Sequence, residues 1–414
     1  MIDPLILARF VHMAATVLAC GSVSFMVLVA DVPALHRRLR LMVWAALVIA
    51  ILSGLGWLVL LASDILGAPI VDVCLHGGVW SVATDTRFGV VWCARLFLAI
   101  SLGLLMLAPR ARLLQLVAAA LLIGLLALIG HAGATPGLAG RIHLVSDMFH
   151  LLAASAWLGA LPALALLLAQ AGRVHDAAWS AIAVAAAERF SKLGIVCVAT
   201  VLASGAVNSW NLLAGPRDLV ATDYGRLVLL KIGLFAAMLA VATVNRYYLT
   251  PQLPAPGAMR ALKRNCLGEI ALGLCVLLFV GALGTLAPTA HVHSSSADIP
   301  ADAAFVHIHT EAAMADVTID PGRAGTFKAT IRVSREDFSD FAAKEVGLAL
   351  DPPGAGIKTV ERATLRMPDG TWQADNIALP KPGVWTARVI VVPETGIPIV
   401  LDAPIVIMQC SNEC

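Results

Sequence analysis

The sequence predicts an all-α polytopic membrane bundle, eight transmembrane helices in a parallel 4+4 repeat, followed by a small all-β sandwich domain. Three observations carry this. Of 414 residues, 59% are hydrophobic and only 14% charged, against roughly 45–50% and about 25% in soluble domains. The apolar excess comes in runs of the length that spans a bilayer, about 20 residues each. After Pro288 the pattern turns to short alternating segments separated by Pro/Gly turns, the signature of strands. Charge divides at the same point, with 19 Lys/Arg and 11 Asp/Glu in residues 1–288 and 10 and 16 in residues 289–414. The expected domains are a membrane part at 1–288, with repeats at about 1–133 and 143–288, a polar linker at 289–304 and a β-domain at 305–414.

The apolar runs cover roughly 5–30, 41–62, 88–108, 113–133, 143–169, 190–213, 226–249 and 265–288. The start, MIDPLILARF, has no basic n-region, so the first run is expected to stay as a helix. An even number of spans puts both termini on one side. Alternate loops carry Arg37, Arg38, Arg40; Arg110, Arg112; Arg173, Arg189, Lys192; and Arg246, Arg260, Lys263, Arg264. The opposite side holds only Arg9, Arg87, Arg141, Arg217 and Arg226. Because positive loops stay cytoplasmic, both termini are expected outside, in the periplasm of a bacterial inner membrane.

The repeat rests on three matches in the same order. Helix 1 reads VHMAATVLACG and helix 5 reads FHLLAASAWLG, each a His followed nine residues later by Gly. Ser53-Gly54 with Trp57 in helix 2 is matched by Ser204-Gly205 with Trp210 in helix 6. Helix 3 opens TRFG with Arg95 six residues beyond its Gly, and helix 7 opens TDYG with Lys231 six beyond. Units of four spans enter from the same face, which gives parallel repeats with a site expected at their interface. In the tail, ADVTI, FKATIRV, VGLAL, GTWQADNIAL, VWTARVIVV and IVLDAPIVIM alternate between DPGRAG, DPPGAG and PKPG turns, as strands of a sandwich do.

An ionisable side chain at membrane depth is a functional hypothesis in itself. His12, His131, His143, Asp147 and His150 all fall near the outer boundary, and His143, Asp147 and His150 follow one helical stripe at i, i+4, i+7. Imidazole with a carboxylate behind it is a common metal-binding arrangement, and softer ligands select copper or zinc. Met13 and Met148 stand beside these histidines with thioethers that suit monovalent copper; the alternative is packing. Arg95 and Lys231 at similar depth point a second way. Two histidines facing across a pseudo-twofold would ligate haem b axially, with propionates meeting those cations. Snorkelling to the headgroups explains the cations equally well.

Further in, Cys20, Met238 and Cys275 at mid-membrane and Cys197 and Cys266 in the inner half sketch a thiol/thioether ladder, though small apolar filler is the simpler reading of each. Outside the membrane, His291 with His293 and His307 with His309 form i, i+2 pairs that share one side of an extended segment. Cys410 and Cys414 end the chain, as copper ligands or as a small disulfide. No phosphate loop, nucleophile elbow or zinc-protease motif appears, so an enzyme is not expected. The basic loops are accounted for by topology without nucleic acid.

The segments RFVHMAATVLACG, MFHLLAASAWLGALPAL, RFSKLGIVCVATVLASGAVNSWNLL and YGRLVLLKIGLFAAMLAVATVNR resemble the copper-resistance D (CopD) membrane proteins over essentially all of 1–290. The tail, through HIHTEAAMADVTIDPGRAG and the GTW and PGVWT segments, resembles the small periplasmic β-domain fused behind some members. The resemblance implies copper homeostasis, with copper moved from periplasm towards cytoplasm, often beside a soluble periplasmic copper carrier. It maps onto His12 and His150, and less closely onto His131.

Overall fold

A computed structural model describes residues 3–66, 69–108, 110–130, 137–174, 176–213, 215, 217–286, 300, 302–310, 313–335, 340–352 and 358–408. The chain divides into two compact units, residues 1–60 with 79–291 and residues 61–78 with 292–414. The helices are α1 (Pro4–Ser24), α2 (His36–Leu66), α3 (Ile70–Leu75), α4 (Gly78–Asp85), α5 (Arg87–Leu105), α6 (Arg112–Gly124), α7 (Gly137–Leu158), α8 (Leu161–Val174), α9 (Ala177–Leu212), α10 (Asp218–Ala221), α11 (Asp223–Val244) and α12 (Pro256–Leu283). Asp3 caps α1 by accepting from Leu5 N at 2.8 Å, with Pro4 at the first helical position, where a missing N–H does no harm. Thr86 and Thr222 cap α5 and α11 alike, each accepting from the Gly three residues on at 3.0 Å.

Among the described residues seven helical segments are long and apolar enough to cross a membrane. The expected fourth span is shorter, a 17-residue apolar helix at Arg112–Leu128 that tightens into a 3-10 turn over Leu125–Leu128; at about 1.5 Å per residue it covers less than a hydrocarbon core of about 30 Å. The expected fifth span is found within Gly140–Val174, long and apolar enough to cross, with a turn inside it. Pro162 has no N–H to offer the Leu158 carbonyl and its ring crowds that turn, so α7 stops at Leu158 and α8 begins at Leu161. Two π-helical turns, Phe25–Val29 and Asn245–Leu249, close α1 and α11.

A close backbone approach in the bundle joins the glycines of the two His-x8-Gly segments. A Cβ on Gly21 would collide with the Gly159 backbone and the Ser155 carbonyl, and one on Gly159 with the Val17 carbonyl. Only glycine admits such contact between helix backbones. Around it Phe25, Leu39, Leu161, Leu164 and Leu168 are buried almost completely.

Among its described residues the second unit carries nine strands: β1 (Ala304–His309), β2 (Met314–Asp320), β3 (Gly325–Ser334), β4 (Ala343–Asp351), β5 (Val360–Ala363), β6 (Leu365–Arg366), β7 (Trp372–Leu379), β8 (Gly383–Pro393) and β9 (Ile399–Ile407). They form antiparallel sheets in the orders β1-β2-β3-β7-β6 and β5-β4-β8-β9. Alternate residues such as Val317, Ile319, Ile331, Val346 and Val389 face one shared core around Trp385, as a sandwich requires. Gly325 and Gly383 open β3 and β8 at φ 136° and 137°, a conformation that residues with a Cβ rarely adopt. The six alternating segments legible in sequence match six of these strands; β1, β5 and β6 are additional.

Gly21→Leu is expected to destabilise the bundle by about 1–3 kcal/mol through overpacking, whereas Gly56→Leu, whose Cβ meets nothing within 4 Å, is tolerated. Thermal unfolding of the two variants in one detergent checks this, and equal midpoints would show that the helix crossing does not depend on Gly21.

Candidate functional site

His12 sits on α1 with 6% of its surface exposed. Its Nδ1 donates to the Ala50 carbonyl on α2 at 2.8 Å, and its Nε2 accepts from Arg95 Nη2 on α5 at 2.7 Å. Arg95 also donates from Nη1 to the Leu122 carbonyl of α6. Trp57 closes the pocket edge-on to the imidazole, with ring centres 5.6 Å apart, and is itself covered by Phe88 at 5.3 Å and by the Arg9 guanidinium at 5.4 Å. Trp92 donates to the Gly54 carbonyl at 3.0 Å, and Gly54 lies so close to the His12 ring that a Cβ there would stand 3.1 Å from it. Both ring nitrogens are engaged and the surroundings are filled.

His150 on α7 occupies a corresponding place among α9 and α11, half-buried rather than buried. Ser204 spends its hydroxyl hydrogen on the Thr200 carbonyl at 2.5 Å, so its oxygen accepts from His150 Nδ1 at 3.0 Å. That bond fixes the tautomer and leaves Nε2 as the nitrogen with the lone pair, the form in which imidazole binds metals. Gly205 faces this ring as Gly54 faces His12. The cation here is Lys231, which acts electrostatically on both His150 and Asp147. Asn208 donates to Asp147 Oδ1 at 2.9 Å, and its own Oδ1 is buried without a partner among the described residues.

Counting from the matched residues shows what differs between the two places. Three residues before the histidine stands Arg9 in one and Asp147 in the other; three after the glycine stands Trp57 in one and Asn208 in the other. An aromatic plug with a cation on it is thus replaced by a carboxylate held by an amide. The sequence pairing of Trp57 with Trp210 is corrected here, since Trp210 is 86% exposed and Asn208 holds the inner position.

The other expected residues divide clearly. His143 is buried on α7 at 1% exposure. Met13 is half-buried, and Met148 packs its methyl against Gly124 of α6, as a space-filling side chain does. Cys20, Cys197, Cys266 and Met238 are buried, while Cys275, expected inside the bundle, is exposed on its outer surface. In the β-domain His307 donates from Nδ1 to Asp316 on the neighbouring strand at 2.5 Å, and His309 lies on the same strand. His131, His291, His293, Cys410 and Cys414 lie outside the described residues, as does the His309 side chain. Among the described residues no cluster of three or more His, Cys, Asp or Glu side chains is placed to hold a metal ion.

Sequence reading missed Glu269, 1% exposed on α12, with Asn245 donating to its Oε1 at 2.6 Å. A carboxylate within an apolar run was the available signal.

A multi-pass helical membrane protein with a partnered imidazole in each half of its bundle and a β-sandwich behind it is the class these features define. The chain belongs to the copper resistance protein D family. The model for the copper resistance protein D-like N-terminal domain matches residues 1–142, and that for copper resistance protein D matches residues 184–283. Inner membrane protein YebZ of Escherichia coli is 32% identical over 294 residues, 68% of this chain and 97% of that protein. Copper resistance protein D of Pseudomonas syringae pv. tomato is 28% identical over 221 residues, 50% of this chain and 71% of its own. Copper transport protein CutJ of Bacillus subtilis is 27% identical over 257 residues, 60% of this chain and 44% of its own. No solved structure matches the chain.

His12→Ala leaves Arg95, itself 3% exposed, without the acceptor for Nη2, a loss of about 1–3 kcal/mol in addition to the void beside Trp57. His150→Ala, at a less filled place, is expected to shift the unfolding midpoint much less. Equal shifts in a detergent-phase thermal scan would count against this division.

Proposed function

We propose that the chain receives copper at His150 and Asp147, near the outer face of a bacterial inner membrane, and moves it towards the cytoplasm. The observation that carries this reading is the difference at Nε2: in His12 it is taken by Arg95, whereas in His150 the hydrogen bond from Nδ1 to Ser204 leaves it able to coordinate. Asp147 supplies a negative charge three residues away on the same helix, which offsets Lys231 and lowers the electrostatic barrier to an arriving cation. The names of the relatives, copper resistance and copper transport proteins, agree with copper as the cargo. The positive-inside pattern supports a periplasmic placement of both termini. A soluble periplasmic carrier, or the chain's own tail through His307 and its neighbours, is the expected source of the ion.

The halves are read as two copies of one four-helix unit, on the recurrence of the His–Gly, Thr-cap and Gly–Gly contacts. In this reading the first copy became a packed support and the second kept the polar chamber. A haem bridging His12 and His150 is disfavoured, because His12 already uses both nitrogens on Ala50 and Arg95. No catalytic step is involved.

Copper uptake by proteoliposomes of the full chain tests the assignment. His150→Ala and Asp147→Asn are each expected to reduce uptake at least tenfold with the fold intact, in line with the usual effect of removing a ligand or its support. Undiminished uptake in His150→Ala would overturn the site.

A further inference from the structure

A second polar cluster lies at the other end of the same half, among the basic loops. The π-helical turn Asn245–Leu249, of the kind that often marks functional positions, turns Asn245 towards α12. Its Nδ2 donates to Glu269 Oε1 at 2.6 Å, and its Oδ1 accepts from Asn265 Nδ2 at 2.8 Å. The next residue, Arg246, spends Nη1 on the Ser191 carbonyl at 3.1 Å and hydroxyl at 2.6 Å. Cys266 and Glu269 stand at i and i+3 of α12, on one helical face, and each is 1% exposed. Both line a cavity of about 310 Å³. A more open cleft of about 390 Å³, bordered also by Glu188 and Lys192, shares Ser191, Arg246, Tyr247 and Thr250 with it.

Glu269 is thus deeply buried, and among the described residues no Lys, Arg or His nitrogen forms an ion pair with it. A lone charge in such a place is costly, so the carboxyl calls for either a proton or a cation. Beside it is a thiol, the side chain that selects soft metals. We propose that Cys266 and Glu269 form a binding site for one soft monovalent metal ion, a station for copper(I) at the basic-loop end of the second half. The copper-handling reading above supplies only the identity of the ion; the cavity and its residues stand independently of His150.

The charge balance is simple. When the ion binds, the S–H bond of Cys266 breaks, a copper–sulfur bond forms and the thiol proton leaves through the open cleft. Copper stays in the +1 state throughout, and exchanging one proton for one monovalent ion leaves the charge of the pocket unchanged. A divalent ion under the same exchange would leave one positive charge in a low-dielectric site beside Arg246. Hard cations also prefer more oxygen ligands than one carboxyl and one amide provide.

The test is anaerobic titration of the purified full chain with copper(I) delivered from a chromophoric chelator, with proton release followed by an indicator dye. Cys266→Ser is expected to bind one equivalent fewer, release one proton fewer and lose near-ultraviolet absorption from a copper–sulfur bond. Glu269→Gln is expected to keep that equivalent with affinity lowered about 10–100-fold. Cys266→Ala replaces the serine variant should that one fail to fold. Full stoichiometry and full proton release in the cysteine variant would overturn this inference and leave the outer site standing. Full stoichiometry in His150→Ala, with the Cys266→Ser deficit retained, would overturn the outer site and leave this one standing.

Discussion

An imidazole held at membrane depth has no water to complete its hydrogen bonds, so each nitrogen must be met by the protein or by a ligand. Much of the bundle around His12 follows from that requirement. Ala50 takes the Nδ1 proton, Arg95 comes in from α5 to the Nε2 lone pair, and the Leu122 carbonyl anchors Arg95 in turn. A single ring thereby ties α1, α2, α5 and α6 together. Around His150 Nδ1 is met by Ser204, the cation is a lysine, and an asparagine on a carboxylate stands at the position matching Trp57. The two places differ by Trp57 against Asn208 and Arg9 against Asp147.

The close contact of Gly21 with Gly159 supplies the scaffold for this. Two helices can touch through their backbones only where neither carries a Cβ, and the contact fixes where α1 and α7 meet. Each histidine lies nine residues before its glycine, about 13 Å along the helix axis. The helix crossing and the imidazole sites are therefore coupled through the spacing of one short motif.

Within the second half, the polar groups gather towards its two ends. His150, Asp147, Asn208 and Lys231 are grouped at one; Glu269, Asn245, Asn265 and Arg246 at the other, with Cys266 among them. Cys197, Cys266 and Met238 belong to the buried core of this half. The first half also buries polar groups, Gln115 of α6 among them, beside apolar residues such as Leu122, Ile123 and Leu126.

Fold class, the long apolar helices, the basic loops and six of the strands were legible from the sequence, because hydropathy and period-two alternation record burial directly along the chain. So were the matched His, Gly, Thr and cation positions, because they recur at fixed spacing. The break before Pro162 was visible in principle, yet the apolar run conceals it. What only the tertiary structure decided is which partner each of these groups finds: that Arg95 belongs to His12, that Asn208 rather than Trp210 stands beside Asp147, and that Asn245 reaches Glu269 across 24 residues. Local spacing determines the face of a helix on which a side chain lies. The helix it meets is set by packing among segments far apart in sequence, and in a medium without water that meeting determines which hydrogen-bond partners a polar side chain finds.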